Sequence, residues 1–422
     1  MQAIRCSSSL RALTVAETLA RARELAPGLG VARVTDITRL DRVGLPVFIS
    51  VRPGAERHST CVSAGKGLRP EEAEVGAVME AIELAWAEHR RCALPIVAAR
   101  VADLGTPERP FGVLDHCPVW GTRIDLDAPI ACIAADDVAT GARTLVPAEA
   151  VIHPLPRSVA GVRYFGTHSN GLASGNTVEE ATVHGLAEVL ERDTISFHLL
   201  RDRARLVRTE TLPEPVRALA DRLRATGFEL IVRWLPNAFG LPAFTAVIFH
   251  RHQPELASPG DGLHPVREIA LVRAVTETAQ ARLGFIHGGR DDLADIYGRY
   301  AHLTADDKAA HFERHFAAWT ADPEPVDYAA LPDLAAAARD LPSALATLLG
   351  ALGREGLTRV LRVAYTPADY PVQVVRVIVP GLELHSKDTL RVGPRLLAAI
   401  RSPQAAGSSS SAPAPRGAPA AP

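Results

Sequence analysis

Glu80 and Glu83, Glu188 and Glu191, and Glu277 with Gln280 stand three residues apart in three segments that align without a gap. Residues 67–85 read GLRPEEAEVGAVMEAIELA and residues 175–193 read GNTVEEATVHGLAEVLERD. They agree at Gly67/Gly175, Glu71/Glu179, Glu72/Glu180, Ala73/Ala181, Val75/Val183, Glu80/Glu188 and Glu83/Glu191. A fainter third copy covers residues 265–282, PVREIALVRAVTETAQAR, where Glu268, Ala270, Val272 and Glu277 match the second. On a helix, carboxylates three residues apart share a face about one turn apart, and repel mildly unless a cation or solvent screens them. Val78, Ile82 and Ala85 frame the first pair, and Leu186, Val189 and Leu190 the second, so these carboxylates border a buried stripe. Such a setting suits Mg2+, a hard cation that takes oxygen ligands together with phosphate oxygens. The plain alternative is a solvated face of strong helix formers, and Thr177-x-x-Glu180 is also a capping box. Recurrence in three separate helices favours one shared metal–phosphate site.

The segments entering the first two helices are small-residue stretches, Ser63-Ala-Gly-Lys-Gly67 and Ser169-Asn-Gly-Leu-Ala-Ser-Gly-Asn-Thr177. Small residues permit close backbone approach and a helix N-terminus favours anions, though neither segment has Walker-loop spacing. Arg192 and Arg273 could balance a polyphosphate; Arg273 also precedes Glu277 by four, the spacing of an ordinary intrahelical salt bridge. His168, His184, His264 and His287 lack metal-ligand spacing and read as polar surface or core residues. The five cysteines are scattered, with no Cys-x-x-Cys pair, which argues against a disulfide framework or a structural zinc site.

Helices are predicted over 14–25 (opening on the capping box Thr14/Glu17), 70–90, 177–200 and 266–283. Strands are predicted over 31–34, 47–51, 96–101, 131–134, 150–153, 228–234, 244–250, 358–364 and 372–379. Residues 291–352 are Ala- and charge-rich with helical periodicity. The stretch 402–422 carries five prolines, a serine run and no large apolar side chain, so it is expected to be a disordered tail.

The 422 residues hold 46 Lys or Arg and 48 Asp or Glu, and this near-neutral balance gives no reason to expect a nucleic-acid surface. Aromatic residues are 5%, too few for a stacking platform. No apolar run is long enough to span a membrane or to open as a secretory signal, so the cytoplasm is the expected compartment.

The stretch from Ser169 to Thr177, then Glu179-Glu180-Ala181 and Glu188-Val-Leu-Glu-Arg192, resembles the core signature of the YcaO family. Gly65-Lys-Gly67 with Glu80-Ala-Ile-Glu83 resembles its upstream motif, and Arg273-Ala-Val-Thr-Glu277 its third. Val374 to Glu383 resembles its closing strand. The resemblance implies a single large α+β domain over residues 1–400 with three Glu-bearing helices around a non-P-loop ATP site. It implies ATP- and Mg2+-dependent phosphorylation of a peptide backbone amide oxygen. Glu80, Glu83, Glu180, Glu191 and Glu277 become the Mg2+ ligands it suggests, and Asn176, Glu188, Arg192 and Arg273 the nucleotide contacts. Arg11 and Thr18 resemble early nucleotide contacts. An external sulfide would give a thioamide; a Cys, Ser or Thr side chain of the substrate would give an azoline. The third motif and the 374–383 segment look more like members that pair with a TfuA protein in thioamide formation. Azoline-forming relatives commonly end in a regular Pro-x-Pro-x-Pro run, which Pro413-Ala-Pro415 and the terminal Ala-Ala-Pro422 break. The alternatives are an azoline cyclodehydratase with a separate peptide-clamp subunit, and a non-catalytic ATP- or peptide-binding scaffold. A homodimer is compatible with the family, and the substrate is expected to be a peptide or protein.

Overall fold

The computed structural model describes residues 4–104, 112–250, 253–289, 302–386 and 390–402. Its helices are α1 (Val15–Leu25), α2 (Pro70–Ala87), α3 (Val178–Leu200), α4 (Glu214–Ala225), α5 (Arg267–His287), α6 (Ala305–Thr320), α7 (Leu341–Arg354) and α8 (Pro394–Arg401). The caps follow the sequence signals: Thr14 and Glu17 close a capping box on α1, and the Thr177 hydroxyl accepts the Glu180 N–H at the start of α3.

Strands β1 (Ile4–Arg5) and β2 (Leu10–Arg11) form a hairpin, and β3 (Arg33–Asp36), β4 (Val47–Val51) and β5 (Val62–Lys66) form a three-stranded sheet. Strands β6 (Val97–Arg100), β7 (Pro129–Asp137), β8 (Arg143–Pro147) and β9 (Leu172–Gly175) belong to a six-stranded sheet. A third sheet runs β10 (Arg205–Leu206), β11 (Phe228–Trp234), β12 (Ala243–His250) and β13 (Gln253–Leu263). Strands β14 (Leu361–Ala364) and β15 (Gln373–Ile378) return to the six-stranded sheet, in the order β6-β7-β14-β15-β9 with β8 on β7. Every strand pairing within the sheets is antiparallel, as an α+β fold requires.

Each Glu-bearing helix packs across its own sheet: α2 on β4 and β5, α3 on β9 and β15, α5 on β12 and β13. The crossings are built alike. A Cβ on Gly65 would overlap the Ala73 carbonyl oxygen and the Ala77 nitrogen; one on Gly262 would overlap the equivalent Ala270 oxygen and Ala274 nitrogen. In the middle copy the small partner changes sides: Ala173 stands on the strand, and Gly185 on the helix faces it. At this pair of positions each crossing thus has one glycine where the backbones approach.

Two sequence expectations change here. The stretches 63–67 and 169–177 are not simple phosphate-cradling loops: most of the first is β5, and the second contains β9. Their small residues let the helices approach. Residues 150–153 are not a strand; Ala148–Ala150 is a single 3-10 turn leading to Pro154. Of the helical stretch expected over 291–352, residues 305–320 and 341–354 are helix, and 290–301 lie outside the described residues, as do 403–422.

Candidate functional site

The three helices turn their glutamates toward a single cavity of about 410 Å³. Its lining includes Arg11, Thr18, Glu80, Glu83, Glu188, Glu191, Arg192, Arg273 and Glu277, nine of the eleven residues expected at the site. Helical phase does this work. In each copy the paired positions fall at the border of the buried stripe, where Ile82, Leu186, Leu190 and Val275 are fully covered.

The second residue of each pair ties its helix to the strand of another copy. Glu83 Oε1 accepts the N–H and the hydroxyl of Ser174 on β9, at 2.8 and 2.6 Å. Glu191 Oε2 accepts the N–H of Leu263 on β13 at 2.9 Å. Gln280 Nε2 donates to the Ala64 carbonyl on β5 at 2.8 Å. The first copy thus holds the second, the second holds the third, and the third returns to the first. The change from Glu to Gln in the third copy accompanies the change of partner from an N–H to a carbonyl, which a carboxylate could not bind.

The first residues of the pairs are less alike. Glu80 Oε2 accepts the Ala64 N–H at 2.7 Å, and Glu277 forms an ion pair with Lys66 Nζ. Burial alone would raise the Glu277 carboxyl, but Lys66 and Arg192 outweigh it and hold the group below the ordinary range. Burial, with Glu80 and Glu188 nearby, pushes Glu83 up to about 8 despite the Ser174 bonds. Burial, together with Glu191 and against Arg192, takes Glu188 to about 7. Asp261, not anticipated from the sequence, rises to about 7 through burial and the charges of Glu277 and Glu191. Burial disfavours the charge on Arg192, and Glu191, Glu277, Glu188 and Asp261 keep it protonated. The Nε of Arg273 is buried with no hydrogen-bond partner.

Two expected residues sit one layer behind the cavity. Glu180 is 1% exposed; Oε1 receives Arg11 Nη1 at 2.9 Å and Oε2 receives the Ala12 N–H at 2.9 Å. Asn176 Nδ2 donates to Glu180 and to Thr18 Oγ1, at 3.0 Å for the latter. The carboxylate of Glu180, expected as a cation ligand, is here engaged by Arg11 and by the Ala12 N–H. Asn176 reaches the cavity only through Thr18.

His184 is the residue that sequence reasoning set aside and the structure brings in. It lines the cavity with a buried, unpartnered Nδ1, at the position equivalent to Arg273 in the third copy. Burial and then Arg273, Arg11 and Lys66 push its pKa well down, so it is neutral. The alignment that equates His184 with Arg273 was the available signal. Among the described residues no three His, Cys, Asp or Glu side chains form a preassembled metal cage. Glu83 and Glu191 are each tied to a strand through one oxygen, and Glu277 to a lysine through one, leaving the second oxygen of each for a ligand.

The fold and this acidic cavity define a family. The model of the YcaO cyclodehydratases, described as ATP- and Mg2+-binding, matches residues 64–383, and the chain belongs to that family. An uncharacterized protein of Methanothermobacter thermautotrophicus is 34% identical over 395 residues, 92% of this chain and 99% of its own. A protein from the tfuA 3′ region of Rhizobium leguminosarum bv. trifolii is 31% identical over 407 residues, 93% of each chain. The structure of YcaO from Methanopyrus kandleri bound with AMPPCP and Mg2+ superimposes with a TM-score of 0.73 at 27% identity, over 93% of this chain and 98% of that one. Among the described residues no helix is long and apolar enough to cross a membrane.

Proposed function

We propose that this chain uses ATP and Mg2+ to activate a backbone amide of a peptide or protein, and that external sulfide then replaces the amide oxygen to give a thioamide. The observation that carries the first part is the cavity itself. Glu80, Glu83, Glu188, Glu191 and Glu277, from three equivalent helices, share it with the guanidiniums of Arg192 and Arg273. The carboxylates offer only oxygen, as a hard cation prefers. Burial, with neighbouring carboxylates adding to it, raises Glu83 and Glu188, and a bound cation would favour their charged forms. Glu80, Glu83, Glu191 and Glu277 are assigned to Mg2+, with Glu188 beside them.

Bound ATP supplies a phosphoryl group that turns the amide oxygen into a leaving group. The protein's part is positional and electrostatic. Arg192 and Arg273 neutralise phosphate oxygens as charge spreads over them, and the Arg273 Nε has no other partner to give up. Thr18 is set by Asn176, and Arg11 by Glu180, so the N-terminal segment contributes a hydroxyl and a cation to the cavity edge. Latching each helix to another copy's strand keeps the carboxylates at fixed spacing before the nucleotide enters, which avoids reorganisation during reaction.

The product assignment is supported by the 374–383 segment and by the relative encoded beside tfuA. It names a TfuA-like protein as partner. The second reading, azoline formation with a peptide-clamp subunit, is favoured by the family's cyclodehydratase description. Intact-mass measurement on peptide treated with the enzyme, ATP, Mg2+, sulfide and a TfuA-like protein separates them. A gain of about 16 Da is expected; a loss of about 18 Da would establish the cyclodehydratase instead, since these shifts follow from the atoms exchanged at the activated carbon.

A further inference from the structure

A second, much smaller cavity of about 50 Å³ lies against the first, lined by Cys117, His168, Asn170, Glu383 and Arg391 among others. The wall is thin: His168 and Asn170 line the small cavity while Ser169 and Leu172 line the large one, and on α3 Val189 faces one while Glu188 faces the other.

Arg391 is only 5% exposed. Its Nε donates to the Cys117 carbonyl at 2.7 Å and its Nη2 to the His116 carbonyl at 2.8 Å, but Nη1 is buried without a hydrogen-bond partner. A buried guanidinium that hydrogen-bonds only to carbonyls has no anion paired with it, although Glu149 lies near enough to favour its charge. The nearby carboxylates are engaged elsewhere: Asp115, which also lines the cavity, accepts the Gly112 N–H at 2.7 Å. Glu383 accepts the N–H groups of Gly393 and Leu396, at 2.6 and 2.8 Å, and Glu149 those of Tyr164, Phe165 and Gly166. His168 Nδ1 and Asn170 Oδ1 are also buried and unpartnered. Burial, then Arg391 and Arg376, keep His168 neutral. Burial and Glu383 keep Cys117 a thiol, so it does not itself supply the missing anion.

We propose that this cavity binds a small singly charged anion on Arg391 Nη1, and that in the working enzyme the anion is hydrosulfide, held one residue's thickness from the nucleotide cavity. At about 50 Å³ this cavity is much smaller than the nucleotide cavity of about 410 Å³, which favours a small anion. The Glu383 carboxylate on the same wall adds repulsion against multiply charged anions. The anion site stands on the cavity and Arg391; its identification as a hydrosulfide site rests on the thioamide reading.

The test is crystallographic and needs no substrate. Crystals of the full chain grown without halide and soaked in sodium bromide should show an anomalous peak within hydrogen-bonding distance of Arg391 Nη1. Adding excess sodium hydrosulfide anaerobically should lower that peak roughly twofold or more by mass action. Arg391→Met should abolish it. Because Arg391 also holds two carbonyls, Asn170→Leu is the second variant: it fills the cavity while keeping the guanidinium and its two carbonyl partners, and should also abolish the peak. Water-like density without anomalous signal, or a peak that survives both substitutions, overturns the site. A bromide peak that excess hydrosulfide leaves unchanged overturns the hydrosulfide assignment. None of these results depends on the mass gain that tests the thioamide reading, so the two can fail separately.

Discussion

Glu83 and Ser174, 91 residues apart in the chain, are joined twice through one carboxylate oxygen, which receives both the N–H and the hydroxyl of the serine. The equivalent carboxylate, that of Glu191, receives the equivalent N–H, that of Leu263. Two of the residues proposed to hold the cation, Glu83 and Glu191, are thus also latches between copies, and Gln280 closes the ring. A shift of one copy would therefore pull on the carboxylate of its neighbour.

Substitution at Glu191 separates these two roles. Glu191→Gln keeps an oxygen to accept the Leu263 N–H but removes the charge offered to a hard cation. ATP turnover should be abolished with the melting temperature nearly unchanged. Glu191→Leu removes both and leaves a buried N–H without a partner, which should cost about 1–3 kcal/mol more in urea unfolding. Turnover that survives the Gln substitution with its Mg2+ dependence intact would return Glu191 to a purely structural role.

Arg11 offers a test from the other side of the cavity. Arg11→Met leaves Glu180, 1% exposed, with only the Ala12 N–H and Asn176 as partners. A loss of about 1–3 kcal/mol in urea unfolding is expected, together with weaker nucleotide binding by calorimetry. Asn176→Asp should also weaken binding, by adding charge beside Glu180. Unchanged nucleotide affinity in both variants would remove the N-terminal segment from the site.

The glutamate pairs were legible because helical period and hydrophobic stripe are both local: Val78, Ile82, Leu186 and Leu190 phase the helices without reference to the rest of the chain. The strands beside them were not. Residues 172–175, Leu-Ala-Ser-Gly, have no β-branched residue and become a strand only because β15 pairs with them. Conversely, residues 150–153 contain Val and Ile but have no partner strand, and the run ends at Pro154. The ring of latches was invisible for a similar reason, since Gln280 finds Ala64 across 216 residues. Glu180 looked like the other glutamates in spacing; what distinguishes it is Arg11, 169 residues earlier.

Acid sensitivity should be traceable to Glu88. Burial alone would raise its carboxyl, but Arg52, which donates to it at 2.7 Å in a fully covered pair, together with Ser59 and the Glu56 N–H, holds it below the ordinary value of 4.5. The folded state therefore binds this proton less readily than the unfolded state. The stabilisation is fully present above about pH 4.5 and is lost as pH falls through the lower folded value. Glu88→Gln should lower the melting temperature at neutral pH and reduce the fall on acidification. A variant whose melting temperature declines with acid as steeply as the wild type would place the sensitive group elsewhere.

The alternation of glycine and alanine at the helix–strand crossings gives the most demanding test of the repeat. Gly65 faces Ala77, Ala173 faces Gly185, and Gly262 faces Ala274, so each of these position pairs carries one glycine. Gly65→Ala places a methyl group against the backbone of α2, the helix that carries Glu80 and Glu83, and should cost about 1–3 kcal/mol through overpacking. It should also lower ATP turnover, because the helix can relieve the clash only by moving away from the strand that fixes Glu80 at Ala64. Ala77→Gly does not relieve the clash, because the atoms met are the Ala73 oxygen and the Ala77 nitrogen, which stay in place without the Ala77 methyl. The double variant should therefore recover little of the turnover. It should lose further stability, since a glycine inside α2 costs about 1 kcal/mol relative to the alanine it replaces. Urea unfolding and turnover on the two single variants and the double give the coupling directly. Full recovery in the double variant would mean that the clash lies with the Ala77 methyl and not with the backbone of α2.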